Sequence, residues 1–282
     1  MARIVGVHGI GQQRKGEHLL QAEWLPALRD GLVRAGCELP DECDLICAFY
    51  GDLFRPKGKA LDPPLSAVDV TAPQDLALIE AWWKAAVAVD PRIPGPDAQT
   101  KLATPQIVQR ALNALSHLPY FRNVAEAAMI FDLKQVRLYM NDAIIRAEVQ
   151  SRLAAKVGQD TRVLIGHSLG SVVAYEALCA HPEWQVDTLV TLGSPLGIRN
   201  LIFDHLKPTP RDGLGSWPGN VRRWVNISDR GDVVALVKKL APLFGRPGSA
   251  VEDIAIDNGA TAHDSEPYLT AKETGDAVAA AL

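Results

Sequence analysis

The spacing of apolar positions changes several times along this chain, and each change marks an element. Residues 3–8, Arg3-Ile4-Val5-Gly6-Val7-His8, are a short run without helical spacing, as in a buried strand. Over 19–35 the spacing becomes three and four. Leu20, Trp24, Leu28 and Leu32, with Leu25, share one face, and Gly36 closes the helix. A second strand is expected at 44–50, ended by Gly51-Asp52. Helical spacing returns at Leu76, Ile79, Trp83 and Val87, and again at Ile107, Ala111, Leu112, Leu115 and Leu118. Prolines at 91, 94, 96 and 105 separate the two stretches. Residues 131–157 read as one long helix, with Leu133, Val136, Met140 and Ile144 on one face and Gly158 as its stop. Strands follow at 163–165, 186–192, 222–228 and 251–256, with a helix from Ser171 and a C-terminal helix ending over 277–282.

Strands alternating with helices imply a mainly parallel sheet with helices on both faces. Ligands in such sheets bind beyond the carboxyl ends of the strands. The chain reads as one α/β domain over 1–282, with 52–130 as a helical insert between core strands. Trp82, Trp83 and Phe121 of that insert either line a pocket or pack the insert onto the core, and their helical spacing favours packing.

Bulk properties narrow the functions. Net charge is −4, which gives no electrostatic case for nucleic acid. No apolar stretch approaches the ~18 residues of a membrane span. Met1-Ala2-Arg3 leads into too short an apolar run for a signal peptide. The fold is therefore expected to begin almost at the first residue, and the protein to be cytoplasmic. The cysteines, Cys37, Cys43, Cys47 and Cys179, match no zinc spacing and are expected to be reduced. A Cys43–Cys47 pair is excluded if both lie on one strand, which holds them too far apart.

The chemistry centres on Arg162-Val163-Leu164-Ile165-Gly166-His167-Ser168-Leu169-Gly170-Ser171. The pattern G-x-S-x-G carries little alone; its flanks carry the argument. A buried strand precedes it and an apolar helix follows. A serine on such a turn is lifted above the sheet edge, at a helix N-terminus that favours developing negative charge. Other polar candidates stand at strand ends as well: His8, Asp229 or Asp232, and His263.

The string GHSLGSVVAYEAL over 166–178 resembles the nucleophile elbow of the α/β-hydrolase family, lipase-like branch, and HGIG over 8–11 resembles that family's oxyanion loop. The resemblance covers about 1–50 and 131–282, and the insert matches no motif. It implies a mostly parallel α/β-hydrolase sheet with the insert as a helical cap. It also implies that Ser168 is the nucleophile and that the N–H groups of Ile10 and Leu169 receive the oxyanion. The family's chain order of Ser, Asp, His points to His263 as base and Asp232 as acid. Relatives place that acid just before an apolar pair, here Val233-Val234. The residues alone leave the acid open. Asp229 lies nearer the strand end, where an Asp often caps its own turn, and Asp204 lies in an irregular segment before the strand. His8 is either a base or a histidine that fixes its loop, and the absence of an orienting carboxylate favours the second. Ser194, in a Gly-Ser-Pro turn, lacks the helix entry of a nucleophile and reads as part of the pocket rim.

The implied activity is hydrolysis of a small-molecule or lipid acyl ester through an acyl-enzyme, with no metal or cofactor. A thioesterase or serine peptidase on the same residues, and a binding module that has lost turnover, are the other readings. Oligomeric state is open.

Overall fold

The computed structural model describes residues 2–38, 44–55, 64–96, 104–118, 120–122, 124–246 and 248–282. The strands are β1 (Ile4–Val7), β2 (Leu45–Ala48), β3 (Val163–His167), β4 (Thr188–Leu192), β5 (Arg223–Asp229), the short β6 (Gly245–Arg246) and β7 (Ser249–Ala250), and β8 (Glu252–Ile256). Six of them form one sheet in the order β2-β1-β3-β4-β5-β8, and every pairing is parallel. β6 and β7 pair antiparallel by themselves. The helices are α1 (Glu17–Arg34), α2 (Pro73–Val89), α3 (Pro105–Leu115), α4 (Glu126–Asn141), α5 (Ala143–Ala154), α6 (Leu169–Ala180), α7 (Ser265–Thr270) and α8 (Lys272–Ala279).

Side-chain alternation along the strands divides the core in two. Ile4, Val163, Ile165, Val190 and Val225 meet Leu20, Trp24, Leu28 and Leu32 of α1, with Leu269 and Val278 of α7 and α8. Val5, Leu164, Leu189 and Trp224 face the opposite way, into a larger cluster that takes in α2 to α6. Residues 169–178 of α6 are buried on every side, so that helix is apolar all round and not striped. β8 is the edge strand opposite β2, and its residues are partly or fully exposed.

The long helix read over 131–157 and the C-terminal helix are each broken in two. Helical residues span 126–154, but Asp142 leaves the helix (φ −97°, ψ 108°) and its carboxylate accepts the N–H groups of Ile144 and Ile145. That is an N-cap, so α4 and α5 are separate helices. Ile144, which continues the spacing of Leu133, Val136 and Met140 in the sequence, is exposed on α5 and does not share their buried face. At the C-terminus the extended residue Ala271 divides α7 from α8, without a side-chain cap.

Helices α2 and α3 pack on one another. Trp82, Trp83 and Phe121 are all buried in the larger cluster, the packing alternative of the two weighed for them. Cys37, Cys47 and Cys179 are free thiols, and burial pushes Cys47 and Cys179 up to about 12. The Cys43 side of the Cys43–Cys47 question lies outside the described residues.

Strand order sets the place of the site. From β1 the chain goes to β2 on one side, while β3 lies on the other, so the order reverses between β1 and β3. Val7 stands opposite Gly166 in register. The next residues out of the sheet, His8-Gly9 and His167-Ser168, therefore emerge side by side.

Candidate active site

Ser168 occupies the turn between β3 and α6 with φ 52° and ψ −128°, in the positive-φ region that L-residues avoid. Three glycines make this turn possible. A Cβ on Gly166 would lie 2.6 Å from the Ser171 Cα, one on Gly9 would lie 2.6 Å from the Ser168 Cβ, and one on Gly170 would overlap the carbonyl oxygen of Val7. The turn is tied down by the Ser168 N–H to the Leu192 carbonyl at 2.9 Å, and by the Ser171 hydroxyl to the Gly166 carbonyl at 2.8 Å.

His263 and Asp232 come to this serine from more than sixty residues downstream in the chain. His263 Nε2 is 3.0 Å from Ser168 Oγ, and His263 Nδ1 is 2.7 Å from Asp232 Oδ2. All three side chains are buried. An ionised carboxylate only accepts, so Nδ1 carries the imidazole proton and the Nε2 lone pair faces the serine hydroxyl. Asp232 is held from every side. Oδ1 accepts the N–H groups of Val234 and Ala235, and Oδ2 also accepts the Tyr268 hydroxyl at 2.9 Å. Burial alone would raise this carboxyl. The charge of His263 and its hydrogen bond outweigh that and hold it below the usual range.

Asp229 does something else. Its Oδ1 accepts the Gly231 N–H at 2.6 Å and its Oδ2 accepts the Asn258 N–H, so its carboxylate caps the turn after β5. Asp204 accepts the Asn200 N–H at 2.6 Å, away from His263.

Among the described residues no carboxylate hydrogen-bonds to His8. Its Nδ1–H donates to the Gly9 carbonyl at 2.7 Å and its Nε2 accepts the Tyr50 N–H at 3.1 Å, which fixes one neutral tautomer. Its ring stacks on Tyr50 at 3.9 Å, and burial pushes it down to about 4. A histidine so placed holds its loop. Because a peptide is trans and planar, fixing the Gly9 carbonyl also fixes the direction of the Ile10 N–H. Ile10 lines the same groove as Ser168, and Leu169 is the first residue of α6. His167 works on the other partner. Its Nε2–H donates to the His263 carbonyl at 2.8 Å, and burial, with His263 nearby, lowers it to about 3. Ser194 is buried and its hydroxyl accepts the Leu196 N–H at 3.3 Å, an interaction inside its own turn.

The groove over Ser168 holds about 800 Å³. Gln12, Lys15, Asp264 and Glu266 make much of its wall polar. Among the described residues of 52–130, only Tyr120 lines it, and that ring stands edge-on to His263 at 5.3 Å. No group of three or more His, Cys, Asp or Glu side chains that could hold a metal occurs among the described residues.

Three contributors had no motif to reveal them, and a fourth, Gly193, is the glycine of the Gly-Ser-Pro turn read at the pocket rim. Tyr268 touches Asp232, but in the sequence it is one apolar position in a helix. Gly193, with φ 54°, abuts the Asp232–His263 bond: a Cβ there would lie 2.8 Å from Asp232 Oδ2. Tyr120 reaches the groove from the insert. Asp132, on α4, is a carboxyl that burial pushes up to about 7, with the charge of His263 opposing the rise.

The family model of the PGAP1-like alpha/beta domain matches residues 105–209, from α3 through the elbow to the turn after β4. No curated protein matches the chain. Among solved structures, the crystal structure of the esterase domain from a Rhodothermus marinus protein is 17% identical. The match covers 49% of this chain and 65% of that one, with a TM-score of 0.28. An overlay at that score carries no argument for the fold, which rests on the sheet order and the elbow. Six parallel strands with the order reversing beside a strained serine turn give this chain an α/β-hydrolase fold, and across that turn it is similar to the PGAP1-like alpha/beta domain.

Proposed function

We propose that the chain is a serine hydrolase of carboxylic acyl esters. The observation that carries this reading is the continuous relay from Ser168 Oγ to His263 Nε2 at 3.0 Å and from His263 Nδ1 to Asp232 Oδ2 at 2.7 Å. In the first half-reaction Ser168 Oγ attacks the ester carbonyl and its proton passes to His263 Nε2. Asp232 stabilises the imidazolium without taking its proton. The N–H groups of Ile10 and Leu169 receive the carbonyl oxygen as it becomes anionic. His263 then gives the proton to the departing alkoxide, leaving an acyl-serine. Water attacks that acyl group in the second half-reaction. His263 takes the water's proton and returns it to Ser168 as the acid leaves.

The rest of the site supports these roles. His8 orients the oxyanion loop, His167 holds the His263 backbone, and Tyr120 closes the side of the groove nearest the base. Through Tyr120 the insert acts as the cap. The polar walls make soluble, short-chain acyl esters the first substrates to assay.

The test uses a fluorophosphonate probe and a panel of acyl ester, thioester and peptide substrates. Wild-type protein is expected to be labelled and to hydrolyse the acyl esters fastest. Ser168→Ala should lose the label and keep only the residual rate that binding and the oxyanion donors supply. Full activity in Ser168→Ala would remove the reading. An unlabelled, inactive wild type would favour a binding module, and faster thioester or peptide turnover would move the substrate class.

A further inference from the structure

Tyr268 lies on α7, past His263, and no step above uses it. Its ring is fully buried. Its hydroxyl stands between two groups of the segment that carries the acid. It accepts the Asp229 N–H at 2.7 Å and donates to Asp232 Oδ2 at 2.9 Å. An amide N–H can only donate, so the single phenolic proton is committed to Asp232. Burial, then the Asp232 charge beside it, push the phenol far above its ordinary range, so that proton stays in place at working pH. The oxygen it reaches is the one that also takes His263 Nδ1–H at 2.7 Å.

We propose that Tyr268 is a positioning residue for hydrolysis: it pins the Asp232 carboxylate to the end of β5 and, through the shared oxygen, tunes how strongly that carboxylate stabilises the charged His263. The inference rests on the serine-hydrolase reading. Its physical basis is that each donor to a carboxylate lowers the carboxylate's basicity. Removing the phenolic donor leaves Oδ2 more basic and more attractive to the imidazolium. It also leaves the carboxylate freer to move, and leaves the Asp229 N–H without its acceptor.

Other charged and titratable groups surround the pair. Lys238 donates to the backbone carbonyl of Asp232, and Asp229 lies behind it. His167, Asp132, Asp264 and Tyr120 face His263. All of them are the same in wild type and in a Tyr268 variant, so the difference between the two isolates the hydroxyl.

The experiment measures kcat and KM against pH for the full chain, for Tyr268→Phe, and for the chain carrying 3,5-difluorotyrosine at 268. Tyr268 does not line the groove, so KM should hold in Tyr268→Phe while kcat falls about tenfold as the acid loosens. The acid limb of kcat/KM should move to higher pH by about half a unit. Difluorotyrosine, a stronger donor of nearly the same shape, should move the limb the other way. Proton NMR titration of the His263 Cε1–H in a Ser168→Ala background reads the same two shifts without turnover. A limb and a titration that stay put in both variants would overturn the proposal, even with lower stability or kcat, since that is the pattern of a merely structural residue. If Tyr268→Phe fails to fold, the difluorotyrosine protein decides alone. A wild type with no ester hydrolysis and no fluorophosphonate label would instead overturn the function, whereas an active wild type with unmoved limbs overturns only the role of Tyr268.

Discussion

Gly193→Ala separates the cost of a backbone conformation from the cost of disturbing the site. Gly193 leaves β4 with φ 54°, where a residue with a side chain loses about 1–2 kcal/mol. The added methyl would also lie 2.8 Å from Asp232 Oδ2 and 3.1 Å from His263 Nδ1. Ordinary C···O approach is about 3.3 Å, so the carboxylate must retreat by roughly half an ångström. It has no slack to do so, because Val234 N–H and Ala235 N–H hold one oxygen and Tyr268 the other. A misplacement of about 1 Å at reacting groups can cost about a hundredfold, so half of that is expected to lower kcat about tenfold. Gly36→Ala is the control. Gly36 has φ 78° after α1, and a Cβ there meets nothing within 4 Å. Gly36→Ala should lose about 1–2 kcal/mol in urea unfolding at unchanged m-value and Gly193→Ala at least that much, but only Gly193→Ala should lose kcat on a chromogenic short-chain ester. If Gly193→Ala folds and keeps wild-type kcat, the site tolerates a displaced acid and the tight-relay argument is wrong.

Asp232→Asn should hold His263 in the wrong tautomer and lower kcat by about four orders of magnitude, whereas Asp229→Asn should mainly lower stability, by about 1 kcal/mol, through its turn cap. The reverse ranking in steady-state kinetics would exchange the two roles. Asp132→Asn tests the buried carboxyl. Its folded value, about 7, is above that of an unfolded Asp, about 4, so the folded state holds its proton longer and wild-type stability falls as pH rises from about 4 to about 7. The neutral variant should therefore gain on wild type across that window, by at most about 4 kcal/mol at pH 8, and the gap should close below pH 4. A gap independent of pH in urea titrations would mean that Asp132 does not ionise there.

Much of the architecture could be read from the sequence alone, because local rules suffice for it. A run such as Val163 to Ile165 has to be a buried strand, and Gly166 and Gly170 around Ser168 permit one kind of turn. The alternation of strands and helices then implies a parallel sheet, and a parallel sheet places strand ends on one edge. For that reason the serine turn and the set of polar candidates at the strand ends are legible in the sequence. Helix length was less legible. Apolar spacing passes through Asp142 without a fault, since capping depends on one residue's side chain and not on the period.

The tertiary structure decided which polar groups face one another. Asp229 and Asp232 lie in the same short turn and have the same chemistry, and only the path of the chain after β5 points one at Gly231 and Asn258 and the other at His263. His8 and His263 both follow strands, but one meets backbone groups and the other a carboxylate. Gly193, Tyr268, Tyr120 and Asp132 join the site from two turns and two helices far apart in the chain. Sequence period records which face of an element is buried. It carries no record of which distant side chain will lie across a hydrogen bond, because that depends on how the elements pack.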